Sequence, residues 1–365
     1  MLKSRKNKSQ EINEFLLQNI KSGTYKTGEL LPTDIQIAEK FGTSRPTVSK
    51  SVQRLVNENL LSRKAGFGTY LSETSNGLDY QRELNFALLI PDLGKTEIFE
   101  PICGQIASLA HQHHFNLLWG GGPSGDSITS TTERLASKYI KQKVDGIFFA
   151  PLECHKDADT INVKITEAIG AAEIPLVLLD NDIFFPPKRS AFDMVGLNNI
   201  EAGFLVASHL ISSGCKKIGF INKPNIAGTV HRRLMGVQEA FRAAGISEDG
   251  IDVITIDKDI ATTATAIACR KDLDALIICN DATAAELMTS LIEVGVKIPN
   301  DLKIAAFDDV KYASLLTVPL TTVRQPCSDI ASAAVEAMLS RVNHPSQAAR
   351  SILLSGELVV RKSAE

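Results

Sequence analysis

Residues 41–71 read FGTSRPTVSKSVQRLVNENLLSRKAGFGTYL, a helix followed, after a turn at Asn59, by a short hairpin. Ser44 can open the helix, and Pro46 is tolerated because first-turn amides have no intrahelical partner. Val48, Val52, Leu55 and Val56 then fall on one side, leaving Arg45, Thr47, Ser49 and Lys50 on the other. Leu60-Leu61 and Thr69-Tyr70-Leu71 read as two strands, joined through the small, basic run from Arg63 and Lys64 to Gly66, Phe67 and Gly68.

Upstream, Ile12, Phe15, Leu16 and Ile20 recur at helical spacing before Gly23, which predicts a helix near residues 9–22. Thr33 is placed to cap a second helix, with Gln36 three residues on returning a bond to the Thr33 amide, and Gly42 ends it. Three helices and a glycine-tipped basic hairpin make the outline of a winged helix-turn-helix. The outer face of the third helix suits a major groove, since Arg forks onto a guanine edge and Ser, Thr and Lys reach bases or phosphates. The hairpin tip suits a minor groove or the phosphates beside it.

Charge follows the same division. Residues 1–71 hold 12 Lys/Arg against 6 Asp/Glu, a net of +6 in a chain of net charge −3, which leaves −9 for the rest. A basic head on an acidic body points to a polyanion partner for the head alone. The 365 residues, 44% of them hydrophobic, suffice for two or three domains. Six scattered cysteines without a C-x-x-C pair fit a reduced, cytosolic compartment. The basic N-terminus has no apolar run behind it, and no apolar stretch is long enough to span a bilayer, so neither secretion nor a membrane partner is expected.

Residues 72–84 are polar and aperiodic and read as a linker. Beyond them, apolar runs alternate with helical stretches: 85–91, 116–119, 146–150, 176–179, 195–197, 217–221, 253–256, 275–279 and 304–307. Runs this apolar indicate parallel strands buried on both faces, too many for one compact sheet. The expected fold is therefore α/β: the winged helix of residues 1–71, then a two-lobed body of residues 85–365 with two parallel, doubly wound sheets. Lobe 1 is assigned residues 85–182 with part of 320–342, and lobe 2 residues 193–309 with the C-terminal strand.

Two such lobes enclose a cleft at the carboxyl ends of their strands. The polar residues there are Asp92, Asp180 with Asn181, Asn198 with Asn199, Asn280 with Asp281, and Asp308 with Asp309, joined by Arg233 early in a helix. Carboxylates, amides and a guanidinium make paired hydrogen bonds to vicinal hydroxyls, and Phe99 or Trp119 could pack on a sugar ring. Singly, each Asp or Asn reads equally as a cap of the following helix. Asp308-Asp309 precedes no obvious helix, and Arg233 has no capping role.

Residues 10–71 resemble the DNA-binding domain of the GntR family. The resemblance is carried by Gly23-Thr24-Tyr25-Lys26-Thr27-Gly28, Leu31-Pro32-Thr33-Asp34, Phe41 to Ser49 and Gly66-Phe67-Gly68-Thr69-Tyr70. It implies operator contacts from Arg45 and Thr47 and places Gly66 at the wing tip. Ser49 stands where that family usually has a basic residue, and Asp34 where it has a longer acid.

Residues 85–363 resemble the effector domain of LacI/GalR regulators, which are related to periplasmic sugar-binding proteins. The matching stretches include Ile174 to Asp180, Arg233-Leu234-Met235-Gly236, Ile278 to Asp281, Val296 to Leu302, Phe307-Asp308-Asp309, Pro319 to Pro326 and Glu357 to Ser363. Effector contacts are thereby implied for Phe99, Asp180, Thr229, Arg233, Asn280, Asp308 and Gln325. Asn181 replaces a frequent Arg. The combination is similar to arabinose-repressor-like regulators.

Other motifs are weaker. Gly120-Gly121-Gly122-Pro123-Ser124-Gly125 satisfies G-x-G-x-x-G, but Pro123 interrupts the turn and no strand-end acid follows at the spacing a dinucleotide needs. His111, His113 and His114 suit the last turn of a helix better than a metal. No cofactor, metal or catalytic group is expected. The sequence thus reads as a cytosolic, dimeric, sugar-responsive transcription regulator that binds a two-fold operator in double-stranded DNA. DNA contacts are expected from Ser44, Arg45, Thr47, Ser49, Lys50, Arg63, Lys64, Gly66 and Gly68. Effector contacts are expected from Asp92, Phe99, Asp180, Asn181, Thr229, Arg233, Asn280, Asp308 and Gln325. With no C-terminal heptad helix in view, a dimer is expected rather than a tetramer. The rival readings are a solute-binding protein of a transport system and a nicotinamide-dependent enzyme.

Overall fold

The computed structural model describes residues 8–21, 24–25, 28–57, 60–64, 67–72, 83–91, 93, 97–121, 127–185, 187–225, 227–256 and 259–365. Gly23, Asn59, Gly66, Asp92, most of the linker and the glycine run from Gly122 lie outside these residues. The chain forms two compact units, Met1–Glu83 and Leu84–Glu365.

In the first unit, α1 (Lys8–Lys21), α2 (Asp34–Phe41) and α3 (Arg45–Asn57) precede a hairpin of β1 (Leu61–Lys64) and β2 (Gly68–Leu71). Thr33 and Gln36 form the expected reciprocal cap at the start of α2, and Gly42 ends it with a left-handed backbone (φ 56°). The apolar stripes of all three helices meet the hairpin in one core of Ile12, Leu16, Ile37, Val48, Val52, Leu55, Leu61 and Leu71. Residues 28–31 run beside β2, with the Leu31 amide donating to the Thr69 carbonyl at 2.8 Å and the Leu71 amide to that of Glu29 at 3.2 Å. The wing is thereby fixed to the entry of α2.

The second unit holds two six-stranded sheets. The first contains β3 (Leu84–Leu89), β4 (Phe115–Leu118), β5 (Gly146–Phe149), β6 (Leu176–Leu179), β7 (Asp193–Leu197) and, from near the C-terminus, β13 (Ser351–Leu354). Its order is β13-β7-β6-β5-β3-β4, and every pairing is parallel. One face packs against α4 (Phe99–His113) and α11 (Cys327–Asn343), the other against α5 (Ile128–Gln142) and α6 (Ala158–Ala171). Phe86 and Phe148 turn to the first face, Ala87, Leu89, Ile147 and Phe149 to the second. Burial on both faces is why these strands read as unbroken apolar runs.

The second sheet has the order β14-β12-β11-β10-β8-β9, with β8 (Ile218–Asn222), β9 (Ile251–Thr255), β10 (Ala275–Ile278), β11 (Lys303–Asp308), β12 (Thr321–Arg324) and an antiparallel edge strand β14 (Glu357–Val359). It lies between α7 (Asn199–Ser212) with α8 (Gly228–Ala243) and α9 (Ile260–Ala268) with α10 (Asp281–Glu293).

Two strands change lobes relative to the sequence reading. The strand at 193–197, assigned to lobe 2, pairs with β6 and β13 in lobe 1. The strand at 320–323, given to lobe 1, pairs with β11 and β14 in lobe 2. The chain therefore crosses between lobes at Asn198, again at Gln325-Pro326, and again between β13 and β14. A buried parallel strand carries no local mark of its partners, which are set by segments more than a hundred residues away in the case of β13 and β7.

Candidate functional site

On the first unit, Ser44, Arg45 and Lys50 are exposed on α3, with Thr47 and Ser49 half-buried. The Ser44 and Thr47 hydroxyls lie 2.8 Å apart in the first helical turn. A groove of about 680 Å³ separates this face from the wing, bordered by Arg45, Ser49, Arg63, Lys64, Phe67 and Gly68. The hairpin tip is held by the Phe67 amide donating to the Lys64 carbonyl (3.0 Å) and by the Tyr70 hydroxyl donating to the Phe67 carbonyl (3.0 Å). Gly68 sits at φ 114°, where a Cβ would also meet Leu30 Cδ1 at 2.6 Å. Arg63, expected at the nucleic acid, is exposed on the groove wall and is engaged by partners within the unit. Its Nη2 donates to both carboxylate oxygens of Asp34 at 2.6 Å and its Nη1 to Ser49 Oγ at 3.1 Å.

In the second unit, a cavity of about 270 Å³ lies between the lobes at the strand ends. Phe99, Asp180, Thr229, Arg233, Asn280 and Asp308 all line it, so six of the nine expected effector residues meet there. Arg233 is its fixed point. Nε donates to Asn199 Oδ1 (2.8 Å), Nη1 to the Cys279 carbonyl (2.5 Å) and Nη2 to Asp308 Oδ1 (3.3 Å), while the guanidinium lies 4.5 Å from the centre of the Phe307 ring. Its helix is positioned by a close crossing of α7 and α8. A Cβ on Gly203 would lie 2.0 Å from the Arg233 carbonyl oxygen, and one on Gly236 1.9 Å from that of Ile200. Only glycine at both points lets the backbones touch.

The cleft acids are held in uncommon conformations: φ is 69° at Asp180, 117° at Asp308 and 51° at Asp309. Non-glycine residues persist there only when their surroundings over-determine them, and such strain gathers at binding sites. Burial pushes the Asp180 carboxyl up to about 6 against the opposing pull of Arg233. Burial, followed by the neighbouring Asp180 charge, raises Glu153 to about 8. Asp308 is also raised by burial, with Arg233 opposing. Asp180 Oδ1 is buried without a protein partner, as is Gln325 Oε1. One open acceptor in this wall and a second beside the adjoining cavity ask for a ligand rich in hydroxyl or amine donors.

The other expected residues are placed differently. Gln325 is buried and donates to Asp308 Oδ1 at 2.8 Å, but borders an adjoining cavity of about 700 Å³ with Glu97 and Tyr312. Asn181 bridges the lobes, donating to Glu153 Oε1 (2.9 Å) and accepting from Arg232 Nη1 (2.5 Å), beside a further cavity of about 250 Å³. Asn280 serves both readings, since its side chain also caps α10 through the Thr283 amide at 2.9 Å. Asn198 caps α7 through the Glu201 amide at 3.3 Å. Trp119 follows the edge strand β4, is 62% exposed and does not line the cavity. Glu97, Glu153 and Lys223 line the cavity without having been singled out. Glu153 lies four residues beyond β5, past the strand end, and its one sequence signal is a charge in the loop after a central strand. His111 and His113 occupy the last turn of α4 and His114 caps its end. Among the described residues no group of three His, Cys, Asp or Glu side chains could hold a metal, and no helix is long and apolar enough to cross a membrane.

Fold and site together define a GntR-type winged helix joined in one chain to a two-lobed, periplasmic-binding-protein-like domain. Residues 8–71 match the family of bacterial regulatory proteins called gntR, and residues 207–364 the periplasmic binding protein-like domain. The chain is similar to the HTH-type transcriptional repressor PurR of Photobacterium profundum, 28% identical over 229 residues that cover 62% of this chain and 66% of that one, just under two thirds of its length. It is also similar to the arabinose metabolism transcriptional repressor of Halalkalibacterium halodurans, 24% identical over 379 residues and spanning 96% of this chain and 95% of its relative. Among solved structures, a LacI family transcriptional regulator from Enterococcus faecium with bound ribose superposes with a TM-score of 0.63 at 20% identity, over 77% of this chain and 98% of that one. The likeness to that structure is one of fold.

Proposed function

We propose that this protein is a DNA-binding transcriptional repressor whose hold on an operator is set by a small polyhydroxy ligand bound between the lobes of its second unit. The observation that carries the reading is the convergence of Asp180, Arg233 and Asp308, with open acceptors, on one interlobe cavity in a chain that also bears a winged helix with exposed Arg45, Lys50 and Lys64. The matched relatives, named as repressors, support it. Ser44, Arg45, Thr47 and Lys50 meet the major groove and Lys64 and Gly68 the adjacent backbone. One small head makes few phosphate contacts, so a cytoplasmic homodimer on a two-fold site supplies the affinity. The protein performs no chemistry on its ligand. Binding shifts the lobes because the ligand favours one arrangement over the other, and only that difference in affinity can alter the grip on DNA.

Iterative selection of random duplex DNA by the full chain tests the first half: enrichment of a two-fold site is expected, and an unenriched pool refutes it. A thermal-shift panel of pentoses, hexoses, their phosphates and purines tests the second. A true effector at a hundred times its Kd adds about 2.7 kcal/mol to stability.

A further inference from the structure

We propose that Arg63 is a positioning residue that locks the wing to the recognition helix, and not one of the cations that meet the phosphate backbone. All three nitrogens of its guanidinium are engaged within the first unit. Nη2 donates to both oxygens of Asp34 (2.6 Å each), Nη1 to Ser49 Oγ (3.1 Å) and Nε to Thr69 Oγ1 (3.4 Å). These partners belong to the start of α2, the middle of α3 and strand β2, so one side chain on β1 ties together every element that faces the groove.

Asp34 is the more covered partner, its side chain 13% exposed against 31% for Arg63. Offering Arg63 to a phosphate would break its charge-assisted bonds and leave the Asp34 carboxylate facing a polyanion. Neither change favours binding. Ser49 completes the arrangement because it is short: a long side chain at that position of α3 would occupy the space the guanidinium fills. Lys64, the next residue along the strand, is exposed with its ammonium 5.8 Å from the centre of the Tyr70 ring, which leaves it as the phosphate-seeking cation of β1.

Charge alone and the lock set opposite signs for one variant. Coulomb's law alone makes Asp34→Asn bind DNA more tightly, because it removes a negative charge beside the duplex. The lock makes it bind more weakly, because Arg63 loses its anchor and the wing loses its register with α3. Salt dependence separates the roles, since each phosphate contact contributes about 0.9 to the slope of log K against log salt concentration.

The experiment uses the full chain and an operator duplex selected by it, titrated across a salt series by anisotropy. Arg63→Gln is expected to lose at least tenfold in affinity with an unchanged slope, Asp34→Asn to weaken binding, and Lys64→Gln to lower the slope by about 1. A slope lowered by about 1 in Arg63→Gln, together with tighter binding by Asp34→Asn, overturns the proposal. A second measurement needs no DNA: thermal unfolding of the two single variants and the double variant. Losses in the first unit's melting temperature that fail to add support the lock, and strictly additive losses overturn it. Should wild type enrich no duplex, the regulatory reading fails while the unfolding cycle still decides the role of Arg63.

Discussion

The two units handle charge in opposite ways. The winged helix displays Arg45, Lys50 and Lys64 on its surface, where water solvates them and salt screens them. The two-lobed unit buries Asp180 and Arg233 to 9% and 4% exposure, holds Asp180 and Asp308 at positive φ, and raises three cleft carboxyls. Surface charge gives long reach and little geometric discrimination. Buried, hydrogen-bonded charge gives the reverse, because each misplaced group costs its full desolvation. A reader of a regular polyanion needs the first, and a sensor of one small molecule among many needs the second.

The comparison breaks most readily at Arg233. Replacing it with Met removes the donor that Asn199 Oδ1 and the Cys279 carbonyl receive from it and leaves the Asp308 carboxylate with Gln325 but without its guanidinium, and removing one partner of a buried pair costs about 3–5 kcal/mol. Chemical denaturation of the full chain should show that loss, and ligand-induced stabilisation should vanish in the thermal-shift panel. Near-native stability in the variant would mean that the cleft charges are solvated, and the contrast between the units would fall.

Arg45→Ala is the corresponding test on the surface. It leaves folding intact, because Arg45 is exposed at the start of α3, and costs about 1–3 kcal/mol of operator binding with relaxed choice of base if it reads a guanine edge. Anisotropy with the selected duplex and single-base variants measures both. Uniform loss over all sequences would make Arg45 a phosphate contact. Lys64→Ala is expected to weaken binding less, evenly over sequences, with the salt slope reduced by about 1.

The winged helix was legible nearly element by element because its signals are local. Thr33 and Gln36 cap a helix within four residues, Gly42 stops it, and Val48, Val52 and Leu55 mark the buried side of α3. Even there, the direction of Arg63 was not, since its partner Asp34 lies 29 residues away and nothing in the strand announces it. In the second unit the strands were visible but their neighbours were not. The segments β7 and β12 are buried along nearly their whole length, so alternation says nothing of which sheet they join. Strand β13, Ser-Ile-Leu-Leu, is only four residues long and half-exposed, too short a run to announce itself. The cleft followed the same rule: acids that end a strand, such as Asp180 and Asp308, could be found, whereas Glu153 in a loop and Arg232 reaching across from α8 became functional candidates only when the lobes met.

Glu153 offers the most selective test of how the cleft stores charge, because it is read as a pH dependence. Its carboxyl is raised from an ordinary 4.5 to about 8, first by burial and then by Asp180. The protonated form is therefore favoured in the folded state, and the stability it contributes is fully present below pH 4.5 and is lost as the pH rises through about 8. Glu153→Gln keeps an amide oxygen for the Asn181 side chain and cannot ionise. Relative to wild type the variant should gain stability steadily across that window, by roughly 1.4 kcal/mol per pH unit and so by several kcal/mol at its upper end, and show no difference in trend below it. Melting curves of both proteins between pH 4 and 9 measure the difference. Parallel curves would place Glu153 in contact with solvent. The acceptors without a protein donor would still be Asp180 Oδ1 and Gln325 Oε1, so the demand for a donor-rich ligand does not depend on Glu153.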